Sequence, residues 1–198
     1  MRKALGQLYF KLAGWRTEGE TPRSPKCIVI ASPHTSNWDL LYMIAAAWVY
    51  EIDFRWLGKR EIFNAPFGRV MRWLGGVPVD RSKNNSLVDQ IVERFEKSDR
   101  LMLIVPPSGT RSRRDHWKSG FYHMALGAGV PVVPGFLDYE GKRAGFGAEI
   151  TLTGDLAVDM EVFRAFYADK RGKYPQNETP QVLRSELADE SKSGDPAS

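Results

Sequence analysis

Residues 26–50 read KCIVIASPHTSNWDLLYMIAAAWVY, and this stretch decides the fold class. Its first six residues, KCIVIA, are a short apolar run rich in β-branched side chains, closed by Ser32-Pro33. Such a run reads as a strand buried in a sheet. From about Asn37 to Tyr50 the apolar residues continue too long for a strand, and the segment reads as a buried helix. The uninterrupted apolar part, 40–50, is roughly half the length needed to cross a bilayer.

Working outward, the alternation continues. Strands are predicted over 54–58, 77–79, 101–105, 130–137 and 148–153, and helices over 86–97, 117–127 and 160–171. Residues 59–74 carry short helical pieces broken by Pro66 and Gly68. Strands and helices of these lengths predict an α/β fold, a single-domain sandwich with a largely parallel central sheet flanked by helices. A chain of 198 residues suits one such domain. Its divisions are an amphipathic N-terminal helix over 1–16, the domain proper over 17–174, and a tail over 175–198. That tail is polar and poor in large apolar residues, so it is expected to be disordered.

The composition, 42% hydrophobic and 26% charged, is ordinary for a globular protein. A net charge of +4 favours anionic partners, whether phosphate-bearing lipids, phosphorylated metabolites or nucleic acid, without choosing among them. The single cysteine, Cys27, excludes an intrachain disulfide and a multi-cysteine metal site. No cleavable leader is expected, because no small-residue cleavage site follows a continuous apolar run. Instead Leu5, Leu8, Leu12 and Trp15 recur at helical spacing among Arg2, Lys3, Lys11 and Arg16. Two readings stay open: a helix lying in a membrane interface with Trp15 and Tyr9 at headgroup level, or a terminal helix packed on its own domain.

In open α/β sheets, ligands bind beyond the carboxyl ends of the strands. Three polar clusters fall there. His34 follows the first strand, Asp80-Arg81 follow Val79, and Ser108-Gly109-Thr110-Arg111 follow Val105. His34 and Asp39 are five residues apart, which on one continuous helix would leave them about 140° apart. A pairing therefore requires His34 on the turn before the helix and Asp39 in its first turn, with Ser36 as N-cap. An Asp holding one imidazole nitrogen leaves the other free to take a proton from a hydroxyl. The competing reading is a capping box, in which Asp39 serves only its own helix. Arg81 and Arg111 stand near glycines, where guanidinium and backbone amides clamp anions. Lys59 is a weaker candidate of the same kind, and Arg113 and Arg114 beside Asp115 read as an exposed charge cluster. Around Ser108 there is no glycine two residues upstream, as a nucleophile elbow requires. His116 and His123 lack a usual metal-ligand spacing, and Cys27 reads as inert packing.

Taken together, these segments resemble the glycerolipid acyltransferase family typified by 1-acylglycerol-3-phosphate acyltransferase. Its His-x4-Asp block is matched by His34 to Asp39, and its second block by Gly76-Val77-Pro78-Val79-Asp80-Arg81. The third, usually Pro-Glu-Gly-Thr-Arg, is similar to Pro107-Ser108-Gly109-Thr110-Arg111, and the fourth to Val130-Pro131-Val132-Val133-Pro134. The resemblance implies His34 as general base and Asp39 as its orienting partner. Lys59, Arg81, Ser108, Gly109, Thr110 and Arg111 would contact substrate. It also implies a thioester donor (acyl-CoA or acyl carrier protein), a lysophospholipid or similar acceptor, an anionic membrane surface, and neither a metal, a cofactor nor a nucleic acid. The expected location is cytoplasmic, peripheral on the inner face of the cell membrane. One position departs: Ser108 stands where the family has Glu, and a serine cannot supply that charge. A non-catalytic lipid- or acyl-binding protein on the same fold is the alternative that this departure leaves open.

Overall fold

The computed structural model describes residues 1–64, 66–79 and 84–187. Its strands are β1 (Arg16–Glu18), β2 (Lys26–Ala31), β3 (Phe54–Lys59), β4 (Gly76–Val79), β5 (Leu101–Val105), β6 (Val132–Asp138) and β7 (Arg143–Phe146). They form one sheet in the order β1-β7-β6-β2-β5-β3-β4, parallel throughout except where β6 meets β7. The helices are α1 (Arg2–Ala13), α2 (Asp39–Val49), α3 (Gly68–Trp73), α4 (Asn84–Glu96), α5 (Gly120–Ala128) and α6 (Leu156–Tyr167). This is the expected α/β sandwich, and β2 stands fourth of the seven strands.

The KCIVIA run occupies the middle because both its faces are apolar. Ile28 and Ile30 pack with Leu103 of β5 and with Phe95, Phe121 and Phe163 from the layer made by α4, α5 and α6. Cys27 and Val29 pack on the other side with Ile44, Ala47, Phe54 and Met102, beneath α2. Alternating side chains thus feed two cores, which is why the strand shows no polar face. Outside α2 lies α1, and small residues let the two helices approach: a Cβ on Gly6 would come within 2.6 Å of the Ala45 carbonyl oxygen.

The N-terminal helix packs on its own domain, the second of the two readings of its sequence. Gly6 and Phe10 are buried against the domain, with Trp15 just beyond the helix. Leu5, Leu8 and Leu12 are 51%, 52% and 79% exposed, so a second apolar stripe faces outward.

Several boundaries differ from expectation. β1 and β7 were not anticipated, being three and four residues long and too short for a periodic signal. The strand expected over 148–153 is a single bridge from Ile150 to Val132. β7 occupies that edge of β6 from Gly135 to Asp138 and leaves little of it to pair. The helix expected from 117 starts at Gly120, because the Trp117 backbone is paired with the chain at 182–183. The helix expected over 160–171 begins at Leu156, where the Asp155 side chain accepts from the amides of Ala157 and Val158. The expected disorder from Pro175 onward is also corrected through Leu187. Pro175–Asn177 is a 3-10 turn, Leu183 is fully buried, and Glu186 pairs with Arg164. One apolar anchor suffices there, which an average over composition hides. Residues 188–198 lie outside the described residues.

Candidate active site

β2 ends at Ala31, and the next residues turn into α2, whose first residue is Asp39. His34 therefore precedes the helix and Asp39 opens it, as their spacing required. The Asp39 Oδ2 atom lies 3.0 Å from His34 Nδ1 and accepts from the amides of Thr35 and Ser36, each at 3.0 Å. The Ser36 hydroxyl accepts in turn from the Trp38 amide at 3.2 Å. The Asp39 carboxylate thus ties the turn before the helix to the imidazole, while the N-cap position falls on Trp38, without a side-chain cap, and not on Ser36 as expected. An ionised carboxylate only accepts, so this pairing suits the imidazole tautomer with its proton on Nδ1, whose Nε2 is free to accept. Asp39 is 5% exposed, whereas the His34 side chain keeps 22% of its surface.

His34 and Asp39 line a cleft of about 620 Å³, a volume usual for small-molecule sites. Much of its wall is apolar, including Val29, Met43, Ala47, Phe54, Met102 and Ile104 from the core under α2. Gly109, Thr110 and Arg111 reach the same cleft. The chain turns there after β5 because Gly109 adopts a φ of 66° and its amide donates to the Pro106 carbonyl at 3.0 Å.

Ser108 is placed differently from the other residues of its block. It is buried, its hydroxyl donates to the Thr110 carbonyl at 2.7 Å, and it does not line the cleft. Arg114, read from sequence as part of a surface cluster, does line it. Lys59 closes β3 at the same sheet edge, described by its backbone alone. Arg81 lies outside the described residues. Burial pushes the Cys27 thiol up to about 12, with Glu149 adding to the effect, so it stays protonated within its strand.

Two residues at the site went unnoticed in the sequence. The Tyr139 hydroxyl donates to Asp39 Oδ1 at 2.8 Å. The ammonium of Lys173 sits 5.5 Å over the Trp38 ring and 5.7 Å over that of Tyr139. Tyr139 is the first residue past β6, so the strand-end rule that singled out His34 points to it once the strand is carried to Asp138. Lys173 offered no such signal.

The Acyltransferase family model matches residues 16–137, more than half of the 198. The chain belongs to the Acyltransferase family. Among its relatives is the 1-acyl-sn-glycerol-3-phosphate acyltransferase of Salmonella typhimurium, 32% identical over 143 residues, covering 65% of this chain and 56% of that protein. The enzyme of the same name from Escherichia coli is 30% identical over 143 residues, with the same coverage. That of the plant Limnanthes douglasii is 29% identical over 150 residues, 68% of this chain and 52% of the relative. The chain thus spans about half the length of the curated relatives it matches. The fold is shared with the crystal structure of the 1-acyl-sn-glycerophosphate (LPA) acyltransferase PlsC of Thermotoga maritima. That match has a TM-score of 0.57 at 19% identity and covers 83% of this chain and 74% of the other. Among the described residues, no helix of this Acyltransferase family member is long and apolar enough to cross a membrane.

Proposed function

We propose that this chain transfers a fatty-acyl group from a thioester, acyl-CoA or acyl carrier protein, to the hydroxyl of a lysophospholipid or related acceptor. The observation carrying this reading is the His34–Asp39 pair at the wall of a largely apolar cleft, in a member of the Acyltransferase family. His34 Nε2 takes the acceptor's hydroxyl proton as its oxygen attacks the thioester carbonyl. The C–S bond then breaks, and the leaving thiolate receives the proton from the imidazolium. The apolar wall suits the acyl chain, and Arg111 and Arg114 suit the acceptor's anionic head. The exposed Leu5, Leu8 and Leu12, flanked by Arg2, Lys3 and Lys11, support peripheral seating on an anionic bilayer, the inner face of the cell membrane.

The test is thiol release from a panel of acyl-CoA and acyl carrier protein donors with lysophosphatidate and other lysolipids. His34→Ala is expected to lower kcat by about 10²–10⁴-fold, the usual worth of a general base. A loss smaller than about tenfold removes His34 from that role.

A further inference from the structure

The three donors on Asp39 Oδ2 all come from the preceding five residues, His34, Thr35 and Ser36. Its Oδ1 atom is held by Tyr139, 100 residues away in sequence and brought in by β6, the strand beside β2. Torsion at the end of an aspartate side chain is soft and nearly two-fold. A donor fixed on Oδ1 therefore sets the carboxylate plane, and with it the direction in which Oδ2 meets the imidazole.

The phenol is itself fixed. Trp15 meets its ring edge-on at 4.9 Å and Tyr42 does so at 5.6 Å, while the Tyr139 amide donates to the Arg171 carbonyl at 2.8 Å. Burial first, and then the charge of Asp39, raise the phenol far above its ordinary value, so it stays a donor at every working pH.

We propose that Tyr139 is a positioning residue: its hydroxyl aligns Asp39 so that His34 is held in the tautomer and orientation that accept the substrate proton. This rests on the reading of His34 as general base. Among the described residues, the charged and titratable groups around the pair include Tyr139 with Tyr42 and Tyr9 beside it, Lys173 over the Trp38 and Tyr139 rings, and Arg111 and Arg114 of the cleft.

Tyr139→Phe keeps the ring and its packing and deletes only the donor. The expected result is a kcat about tenfold lower, the rate equivalent of one hydrogen bond to a charged group, with KM for donor and acceptor little changed. Without the phenol's proton the Asp39 charge is less dispersed and favours the protonated imidazole, so the acidic limb of the kcat–pH profile moves to higher pH. Replacing Tyr139 by 3-fluorotyrosine, a stronger donor of nearly the same shape, is expected to move that limb the other way. The low-field proton resonance on His34 Nδ1, assigned by its loss in His34→Ala, should shift in Tyr139→Phe. That signal needs no turnover, so it reports on Tyr139 even if no acyl transfer is found and the functional reading falls. An unmoved resonance, an unchanged kcat, or a rate loss with a raised KM and an unshifted limb would each overturn the proposal.

Discussion

Asp39 carries two duties with one side chain. The turn before α2 leaves the Thr35 and Ser36 amides in need of an acceptor, and an imidazole in the role proposed for His34 needs an acceptor for its Nδ1 proton. A carboxylate with several lone-pair sites meets both demands on a single oxygen. Asp39→Asn keeps the size and loses the charge. It is expected to lower kcat by about 10²-fold or more, because the imidazole loses the partner that stabilises its charged form. It is also expected to lower the unfolding free energy by about 1–3 kcal/mol, the usual loss when buried donors lose a charged acceptor. Steady-state thiol release and urea denaturation of the same preparation measure the two effects separately. Ser108 shows the opposite case. Its position in a familiar block pointed to substrate, yet its hydroxyl is spent on the Thr110 carbonyl inside the turn. The block's contribution to the cleft is made by Gly109, Thr110 and Arg111.

Among the elements, α1 is divided by face. Gly6 and Phe10 seat it on α2, and Leu5, Leu8 and Leu12 remain outside. Gly6→Val places a branched side chain where even a Cβ meets the Ala45 carbonyl oxygen at 2.6 Å. That substitution should cost about 1–3 kcal/mol, as overpacking does, and the cost is read from a thermal or urea melt. Replacing Leu5, Leu8 and Leu12 together by Gln should leave stability within about 0.5 kcal/mol per site while abolishing co-sedimentation with anionic liposomes. Sedimentation unchanged by the triple substitution would mean the outer stripe is no membrane anchor. The outer stripe of Leu5, Leu8 and Leu12 was legible as apolar positions at helical spacing, and the Gly6 and Phe10 face was not. Nor was it legible which face belonged to the core, since that depends on the small residues of a second helix.

For the molecule as a whole, buried charge ties elements together and makes stability depend on pH. Asp159, at the start of α6, is 2% exposed and accepts from the Tyr122 hydroxyl at 2.8 Å, the Thr153 amide at 3.0 Å and the Gly154 amide at 3.3 Å. Burial works against its charged form, but the Thr153 amide, the Tyr122 and Thr153 hydroxyls and the Gly154 amide outweigh it, and the carboxyl lies below its ordinary value. Its folded value is thus lower than its unfolded one. The stabilisation is complete above the unfolded value of about 3.9 and is lost as pH falls through the lowered folded value. Asp159→Asn should therefore be less stable than wild type at neutral pH, with the gap closing below about pH 4. Urea midpoints measured across that range give the comparison.

The two-faced apolar run at 26–31, the helix after it, and the order His34 before helix and Asp39 within it were all readable from the chain. Each follows from local rules: side-chain periodicity, the turn at Pro33, and the rotation per residue of a helix. The Tyr139 hydroxyl on Asp39, the inward turn of Ser108, the arrival of Arg114 in the cleft and the anchoring of Leu183 were not. Each depends on which strand ends become neighbours and which edges are already occupied. β6 lies beside β2 because of the packing of the entire sheet, and it is that adjacency which brings residue 139 to residue 39.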